Sequence, residues 1–436
     1  MFAMVPRPGR PHPRSLRTLT IQMTRRLIAL GVLVFLLTAG VASAGPQATL
    51  EFWTIALQPI CTAYVRDLIG RYERIHPGVR VRWIDLQMQA LDEKLLAAVA
   101  AGAAPDVVNL NTEITVRMAQ AHALVDMDAA VPATARARYF PNVWTSLRVQ
   151  GRVYGIPWYV EPDVLAYNRA LFRRAGLDPA RPPGTMDGFI QTAVTLKQKT
   201  GVYGFMPNVD KIRLLTLFRE EGLPVLSPDR RRALFDGPGH VALLARYVDL
   251  FKRDIFPADT LQRGYLGATE RYAGGQLGML VIGPEFLLRI RSDGPDAYRD
   301  TLVAPAPLGR GRVLDLPTMD LVVPSASRHR AEAVDFALFV TNDENQLALS
   351  HVIVTFPSTR AAAADPYFTR GGDAPVDRSR AIAARELGMA QDLTVVTPHS
   401  DELFRIFREA VENAFFGRMT PQQALSWAVK EWNGRL

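Results

Sequence analysis

The chain has 436 residues, 48% of them hydrophobic and 22% charged, a composition that excludes disorder along the whole chain and low-complexity scaffolds. Its one cysteine, Cys61, excludes an intramolecular disulfide, a four-cysteine zinc site and an iron–sulfur cluster. The net charge of +8 falls to +2 without the six arginines of residues 1–44, so the body of the chain carries no electrostatic sign of a nucleic-acid partner.

The first 44 residues are typical of a leader that directs export. Residues 23–44 (MTRRLIALGVLVFLLTAGVASA) combine a basic start, an apolar stretch of 14 residues and a small-residue cleavage pattern. These are the three regions of a secretory signal peptide, with cleavage expected after Ala44. The apolar stretch is short for a membrane span, which needs ~20 residues. Residues 1–22 add nothing that a signal peptide needs, which makes Met23 an alternative start. We therefore expect a soluble protein exported to the periplasm.

Strands and helices alternate at the start of the predicted mature chain. The patterns predict strands over residues 49–53, 79–83 and 106–110 and helices over 62–75 and 91–101. This order indicates parallel pairing with right-handed crossovers. Open sheets of this kind bind ligands beyond the carboxyl ends of their strands, which directs attention to the loops at 54–59 and 111–113. The polar candidates in these loops are Thr54, Gln58, Asn111 and Glu113.

Extended segments interrupt the α/β pattern farther along the chain. Residues 151–172 contain two extended pieces around Pro157 and Pro162, followed by a helix from Asn168. Later patterns predict strands over 201–206 and 278–283, extended runs at 301–305 and 314–324, and helices over 185–199, 241–251, 331–340, 344–352 and 403–415. Thr420 and Gln423 form a capping box for the last helix. Because the α/β pattern resumes after each extended crossing, we expect two intertwined lobes.

Motifs of enzymatic chemistry are absent from the sequence. It contains no G-x-S-x-G elbow, Walker loop, dinucleotide fingerprint or H-E-x-x-H motif, and its seven histidines lack metal-ligand spacing. We therefore predict no cofactor, no metal site and no enzymatic activity. An exported glycan-processing enzyme stays open as an alternative, since two catalytic carboxylates can lie far apart in sequence.

Aromatic rings and carboxylates near the predicted crevice favour a polyhydroxylated ligand. Carboxylates accept hydroxyl protons in charge-assisted hydrogen bonds, and aromatic rings stack on the C–H faces of sugars. Trp158, Tyr159 and Glu161 place both functions within four residues. Asp210 and Asp320 are further acidic candidates, after the predicted strand at 201–206 and within the extended run at 314–324. Packing in the core is the alternative role for the two aromatic residues.

Several segments together resemble the extracellular solute-binding proteins of ABC importers, in the carbohydrate-binding family that includes maltodextrin-binding protein. They are LEFWT, RYERIHPGVRV, KLLAAVAAGAAPDVVNLN, GRVYGIPWYVEPDVLAYNRALF, YAGGQLGMLVIGPEF and FPSTRAAAADPYF, in the family's order. The resemblance implies an α/β fold of two lobes joined by crossing segments, which close on a ligand like a flytrap. The implied lobes are residues 45–159 with 316–362, and residues 160–315 with 363–436. It further implies a monomer that delivers its ligand to a membrane permease.

The resemblance also implies roles for individual residues. Glu161 falls where the family has a ligand-binding glutamate, and Glu113 falls at an acidic ligand contact after a Pro-Asp pair. Residues 54–58 match a contact loop, and Asp210 roughly matches an acid of the second lobe.

One departure from the family's pattern affects the predicted ligand. Where the family often has Gly-Pro-Trp, with the Trp stacked on sugar, this chain has Gly283-Pro284 followed by Glu285 and Phe286. Stacking then passes to Phe286 or Trp158, or the pocket holds a more polar or cationic ligand. The expected ligand is a mono-, di- or short oligosaccharide. A polyol phosphate is the alternative, for which Arg360 would supply the cation, although the other candidates are mainly acidic.

Overall fold

The computed structural model describes Gly9 and residues 48–207, 213–370, 372–397 and 399–436. The predicted signal peptide and Asp210 therefore lie outside the described residues. From Ala48 to Leu436 the chain forms one unit. Within the described residues, no helix combines the length and the apolar character that crossing a membrane requires.

The strands that the structure describes are β1 (Ala48–Ile55), β2 (Val79–Leu86), β3 (Val107–Asn111), β4 (Arg148–Val149), β5 (Arg152–Val153), β6 (Ile156–Val160), β7 (Val164–Asn168), β8 (Met279–Ile282), β9 (Thr301–Pro305), β10 (Thr318–Val322) and β11 (Phe356–Pro357). The described helices of the first half are α1 (Thr62–Ile75), α2 (Met88–Ala100), α3 (Thr112–Gln120), α4 (Met127–Ala130), α5 (Ala133–Arg136), α6 (Pro141–Ser146), α7 (Arg169–Arg174), α8 (Met186–Thr200) and α9 (Arg213–Glu220). Those of the second half are α10 (Pro238–Lys252), α11 (Thr260–Ala273), α12 (Phe286–Asp293), α13 (Pro295–Arg299), α14 (Arg330–Val340), α15 (Asp343–Val352), α16 (Arg360–Ala363), α17 (Pro366–Thr369), α18 (Pro375–Glu386), α19 (Ser400–Phe415) and α20 (Pro421–Asn433).

The larger sheet has six strands in the order β11-β6-β10-β3-β1-β2. Strand β1 runs parallel to both β2 and β3, as the alternating sequence pattern predicts. Strand β10 returns from late in the chain and pairs antiparallel with β3 and β6, and β11 closes the edge against β6. Helix α1 covers this sheet through the buried stripe Val65, Leu68 and Tyr72, at the spacing that one helical face requires. Phe52 and Phe336 pack at 5.2 Å in the same core.

A two-stranded sheet pairs β4 with β5. A third sheet, which we call the smaller sheet, has three strands in the order β8-β7-β9, and both pairings are antiparallel. Its core joins the sheet to the C-terminal helices, where Phe235 and Trp432 pack edge to face with ring centroids 5.0 Å apart. The predicted capping box at Thr420 and Gln423 is confirmed at the start of α20. The molecule therefore has the predicted two-lobed α/β fold, with the six-stranded sheet in one lobe and the three-stranded sheet in the other.

The chain passes between the sheets at three places. Only residues 161–163 separate β6 in the larger sheet from β7 in the smaller one, and residues 306–317 return from β9 to β10. The third passage follows β11 and α17 and leads to α18, which packs on β7 and β9. Because short connections permit rotation of one packed body against another, this arrangement suits a hinge.

One predicted strand is wrong. The pattern at residues 201–206 predicts a strand, but the segment forms only an isolated bridge between Tyr203 and Leu277. Gly204 lies so close to α8 that a Cβ there would come within 2.3 Å of the Ala193 backbone. Packing of this loop against a helix therefore prevails over its β-forming composition.

Candidate functional site

The first two passages between the sheets run side by side. Glu161 follows β6 directly, and its backbone N–H donates to the carbonyl of Pro317, which precedes β10, at 3.1 Å. Glu161 therefore stands where the chain leaves one sheet for the other. We call the place where residues 161–163 and 306–317 run side by side the junction. Its side chain is half-buried. Burial, with a further contribution from Asp163, raises the pKa of the Glu161 carboxyl to about 7.

Glu285 is a second carboxyl near enough to Glu161 to feel its charge. It lies between β8 and α12, on the side of the smaller sheet. Burial raises its pKa well above the ordinary value, and the Glu161 carboxylate adds to the effect. Its Oε2 atom is buried and has no hydrogen-bond partner among the described residues. A buried carboxylate oxygen without a partner needs a hydrogen-bond donor. The carboxyls of Glu161 and Glu285 are therefore suited to accept hydrogen bonds from a ligand.

Arg213 ties the junction to the smaller-sheet lobe. Its Nη1 donates to Asp315 Oδ2 at 2.7 Å, and its Nη2 pairs with Asp163. Asp315 lies on the second passage and Asp163 on the first. The Arg213 guanidinium, at the start of α9, therefore binds both passages. The backbone N–H of Leu393 also donates to Asp315, at 2.9 Å. Burial nevertheless raises the pKa of Asp315 to about 6, against the lowering effect of Arg213.

The loop after β1 is organised by Asp85. Its Oδ1 accepts from the hydroxyl of Thr54 at 2.6 Å and from the backbone N–H of Leu57 at 3.1 Å. Its Oδ2 accepts from the backbone N–H of Gln58 at 2.9 Å. Thr54 is fully buried and also receives a hydrogen bond from Trp83 Nε1 at 2.7 Å. The Thr54 hydroxyl is therefore committed to the protein, whereas the Gln58 side chain is exposed.

The loop after β3 begins α3. Asn111 is the N-cap, and its side-chain oxygen accepts from the backbone N–H of Ile114 at 2.9 Å. Glu113 lies in the first turn of this helix and is half-buried. Thr112 contacts the hydroxyl of Thr318 at 2.9 Å. The two predicted loops thus stand at the same edge of the larger sheet, because β1 and β3 are parallel neighbours.

Asp320 lies inside the larger sheet, on β10. It is fully buried, and its Oδ2 accepts a long hydrogen bond of 3.4 Å from Thr318. Burial raises the pKa of the Asp320 carboxyl well above the ordinary value, and the nearby Asp392 adds to the effect. The Asp320 side chain therefore has no surface that a ligand could contact in this structure.

The aromatic candidates separate into buried and accessible rings. Trp158 is completely buried, with its ring centroid 6.1 Å from that of Phe52, so it offers no face to a ligand in this structure. Tyr159 is also buried, and its pKa is raised well above the ordinary value by burial and by neighbours that include Glu161. Phe286 is only half-buried and packs edge to face on Tyr265, with centroids 4.7 Å apart.

Arg360 stands apart from the other candidates. It begins α16, is exposed, and donates from Nη2 to the carbonyl of Ala137 at 2.5 Å. Strand β11 pairs antiparallel with β6 so that Phe356 lies opposite Val160. The chain therefore runs from there toward the start of β6, away from Glu161. The structure does not bring Arg360 to the junction.

A cavity of about 100 Å³ lies in the smaller-sheet lobe beside the junction. Its polar lining comprises Asp163, Arg213, Glu220, Tyr247, Tyr265 and Asp315. Its apolar lining includes Phe189 and Phe205, whose rings pack edge to face at 5.1 Å. The cavity therefore combines aromatic surface with acidic groups. Within the described residues, no group of three or more His, Cys, Asp or Glu side chains is arranged to hold a metal ion.

Comparison with known proteins decides the family. The model of the bacterial extracellular solute-binding protein family matches residues 57–347. The chain belongs to this family. A crystal structure of a candidate oligosaccharide periplasmic-binding protein from Synechococcus sp. MITs9220 is 32% identical to this solute-binding protein, with a TM-score of 0.81. The alignment covers 88% of this chain and 98% of the other.

Two curated relatives differ in what their names describe. An uncharacterized lipoprotein in the oleD 5′ region of Streptomyces antibioticus is 27% identical to this solute-binding protein, over 79% of this chain and 78% of the relative. The sn-glycerol-3-phosphate-binding periplasmic protein UgpB of Escherichia coli is 23% identical, over 95% of this chain and 97% of the relative. These relatives extend the similarity over most of the solute-binding protein's length.

Four polar residues of this region were not predicted from the sequence. Asp163, Arg213 and Asp315 lie at the junction, and Asp85 organises the loop after β1. Asp85 carries a readable signal, because it lies near the carboxyl end of a predicted strand next to a predicted ligand loop. The partners of Arg213 are 50 and 102 positions away along the chain. No local pattern in this solute-binding protein reveals such pairs.

Proposed function

We propose that this protein captures a carbohydrate between its two lobes and delivers it to the permease of an ABC importer. The observation that carries the proposal is the pair of carboxyls at the junction, Glu161 from the first passage and Glu285 from the loop after β8, with Oε2 of Glu285 lacking a donor among the described residues. Sugar hydroxyls supply such donors, and hydrogen bonds to carboxylates are stronger than neutral ones. The protein binds its solute without making or breaking a covalent bond.

Closure follows from a ligand that contacts both lobes. A ligand can shift the equilibrium between open and closed forms only by its differential affinity for them. The Gln58 side chain, next to the larger sheet, and Phe286, next to the smaller sheet, are both accessible. Glu161 lies on the passage that connects these two sheets. A sugar that contacts all three favours the closed form, which the permease then recognises.

The remaining parts of the proposal concern location and organisation. Residues 23–44 act as a cleaved signal peptide, and the mature protein works as a monomer in the periplasm or an equivalent extracytoplasmic space. Residues 45–159 and 316–362 form the first lobe, and residues 160–315 and 363–436 form the second. The name of the Synechococcus relative supports a carbohydrate ligand.

A polyol phosphate is the second candidate ligand, because the name of the Escherichia coli relative includes glycerol 3-phosphate. The charges at the junction oppose it. Arg213 is already paired with two aspartates, and Arg360 lies away from the junction. A phosphate there would face Glu161 and Glu285, and like charges repel at close range.

Thermal unfolding of the ligand-free mature protein, beginning at Gly45, tests the proposal. The panel contains mono- and disaccharides, polyols, glycerol phosphates and amino acids. A ligand at about 100 times its dissociation constant adds about 2.7 kcal/mol to the free energy of unfolding. Stabilisation by a sugar class supports the proposal, and stabilisation only by glycerol phosphates or amino acids contradicts it. Incubation with the bound glycan tests the enzymatic alternative, which requires that the glycan be cleaved.

A further inference from the structure

The junction and the adjoining cavity hold more negative than positive charge. Five carboxyls are found there among the described residues, namely Glu161, Asp163, Glu220, Glu285 and Asp315, together with the guanidinium of Arg213. Arg213 pairs with two of the five. In the part of the chain that the structure describes, the three glutamates have no ion pair.

Each of these glutamates is half-buried. Burial raises the pKa of Glu220 to about 8, against the lowering effect of Arg213 and with raising effects from Asp315, Asp163 and Glu221. Burial also raises the pKa values of Glu161 and Glu285, and neighbouring carboxylates add to the effect. Buried carboxylates without a cation are costly to ionise. A group that supplies positive charge would therefore bind all three favourably.

The cavity and the glutamate pair adjoin each other at Tyr265. Its ring lines the cavity, and its hydroxyl accepts from the backbone N–H of Gly283 at 2.6 Å. A Cβ built on Gly283 would lie 2.2 Å from the carboxylate of Glu285, so that carboxylate folds back over the same glycine. One ligand of modest size can therefore contact both the pair and the cavity.

The cavity wall is suited to a cation. The rings of Phe189, Phe205, Tyr247 and Tyr265 line it beside the acidic groups. Aromatic faces attract ammonium and guanidinium groups, most strongly where water is excluded. Acidic groups alone would serve a neutral polyol equally well, but the combination of unpaired carboxyls, aromatic walls and the unpartnered Oε2 of Glu285 favours a positively charged group.

We propose that the solute carries a protonated amine next to its hydroxyl groups, as in an amino sugar, and that Glu285 and Glu161 bind the amine at the edge of the aromatic cavity. This inference rests on the proposed function, since the hydroxylated part of the solute is bound as a carbohydrate. It extends that function by naming the charge that distinguishes this solute from a neutral sugar.

Matched ligands test the inference by calorimetry on the ligand-free mature protein. The set comprises D-glucosamine, N-acetyl-D-glucosamine and D-glucose, with the corresponding β-1,4-linked disaccharides and maltose. Acetylation removes the charge of the amine and keeps the ring. We expect the amine form to bind about tenfold more tightly than its neutral counterparts, since a charge-assisted hydrogen bond is worth ~1.5–3 kcal/mol. Equal or tighter binding of neutral sugars overturns the inference and leaves the proposed function standing.

The pH dependence supplies an independent readout. A cation lowers the pKa values of Glu161 and Glu285, so its binding releases protons and its affinity falls as the pH drops from 7 to 5. A neutral sugar, whose hydroxyls donate hydrogen bonds to the same carboxylates, should show a weaker dependence. Heats measured in buffers of different ionisation enthalpy report the proton release directly, and a binding reaction with no net proton release contradicts the inference.

Two variants complete the experiment. Glu285→Gln keeps the shape of the side chain and should reduce the preference for amine over acetylated amine about tenfold. Glu409→Gln, an exposed position on α19, is the matched control and should leave the preference unchanged. An unchanged preference in Glu285→Gln overturns the inference. If no carbohydrate of either charge binds, the proposed function itself fails.

Discussion

The backbone N–H of Glu161 donates to the carbonyl of Pro317 at 3.1 Å, and this hydrogen bond joins the two passages between the sheets. The residue that the sequence predicts as a ligand contact is thus also part of the hinge. Because the bond uses only the backbone, the Glu161 side chain remains available to a ligand. A solute bound by this side chain, as we propose, would contact the first passage directly.

Replacement of Glu161 by alanine should separate these two roles. The hydrogen bond to Pro317 does not depend on the side chain, so the variant should keep its fold. Ligand binding should weaken by about 2 kcal/mol, the value of a charge-assisted hydrogen bond. Calorimetry with the ligand found in the thermal panel measures the loss, and far-ultraviolet circular dichroism checks the fold. A dissociation constant equal to that of the parent protein would remove Glu161 from the site.

Arg213 should matter for stability more than for binding. Its side chain lies between Asp163 and Asp315, and the side chain of Asp315 is only 6% exposed. Arg213→Met leaves both carboxylates without their cation, which should cost about 3 kcal/mol in the free energy of unfolding. Urea unfolding without ligand measures the loss.

A compensating variant shows whether charge is the cause of this loss. Adding Asp163→Asn and Asp315→Asn to Arg213→Met removes the unpaired carboxylates, so part of the lost stability should return. If the triple variant is no more stable than Arg213→Met, the loss reflects packing of the arginine rather than its charge.

The sequence predicts the larger sheet better than the junction. The parallel pairing of β1 with β2 and β3 follows from strands and helices that alternate within about sixty residues. The carboxyl ends of these strands locate the loops at Thr54 and Asn111 by the same logic. The pairs of Arg213 depend on passages that return from distant parts of the chain, and composition alone gave residues 201–206 the wrong structure.

Glu220 should make stability depend on pH. Its pKa is about 8 in the folded protein, raised by burial from an ordinary value of 4.5. The unfolded chain therefore loses this proton first, and the folded state is progressively disfavoured as the pH rises from 4.5 to 8. Glu220→Gln lacks the titrating group. Relative to the variant, the parent protein should lose on the order of 3 kcal/mol between pH 5 and pH 8. Urea unfolding across this range measures both, and parallel stability curves would contradict the assignment.

Trp158 and Phe286 should respond to substitution in opposite ways. Trp158 is completely buried against Phe52, so Trp158→Ala removes core packing and should cost about 3–5 kcal/mol in the free energy of unfolding. Phe286 is half-buried at the start of α12. Phe286→Ala should instead weaken ligand binding by about 1 kcal/mol, as expected for the loss of one aromatic contact.

Urea unfolding and calorimetry on both variants separate the two roles. Trp158→Phe keeps an aromatic ring in the core and should recover part of the stability that Trp158→Ala loses, which makes it the matched control. If Trp158→Phe retains its stability but loses affinity, Trp158 contacts the ligand in the closed form. If Phe286→Ala binds as tightly as the parent protein, stacking on the solute belongs to another ring, and Tyr265, which packs on Phe286 at 4.7 Å, is the next to replace.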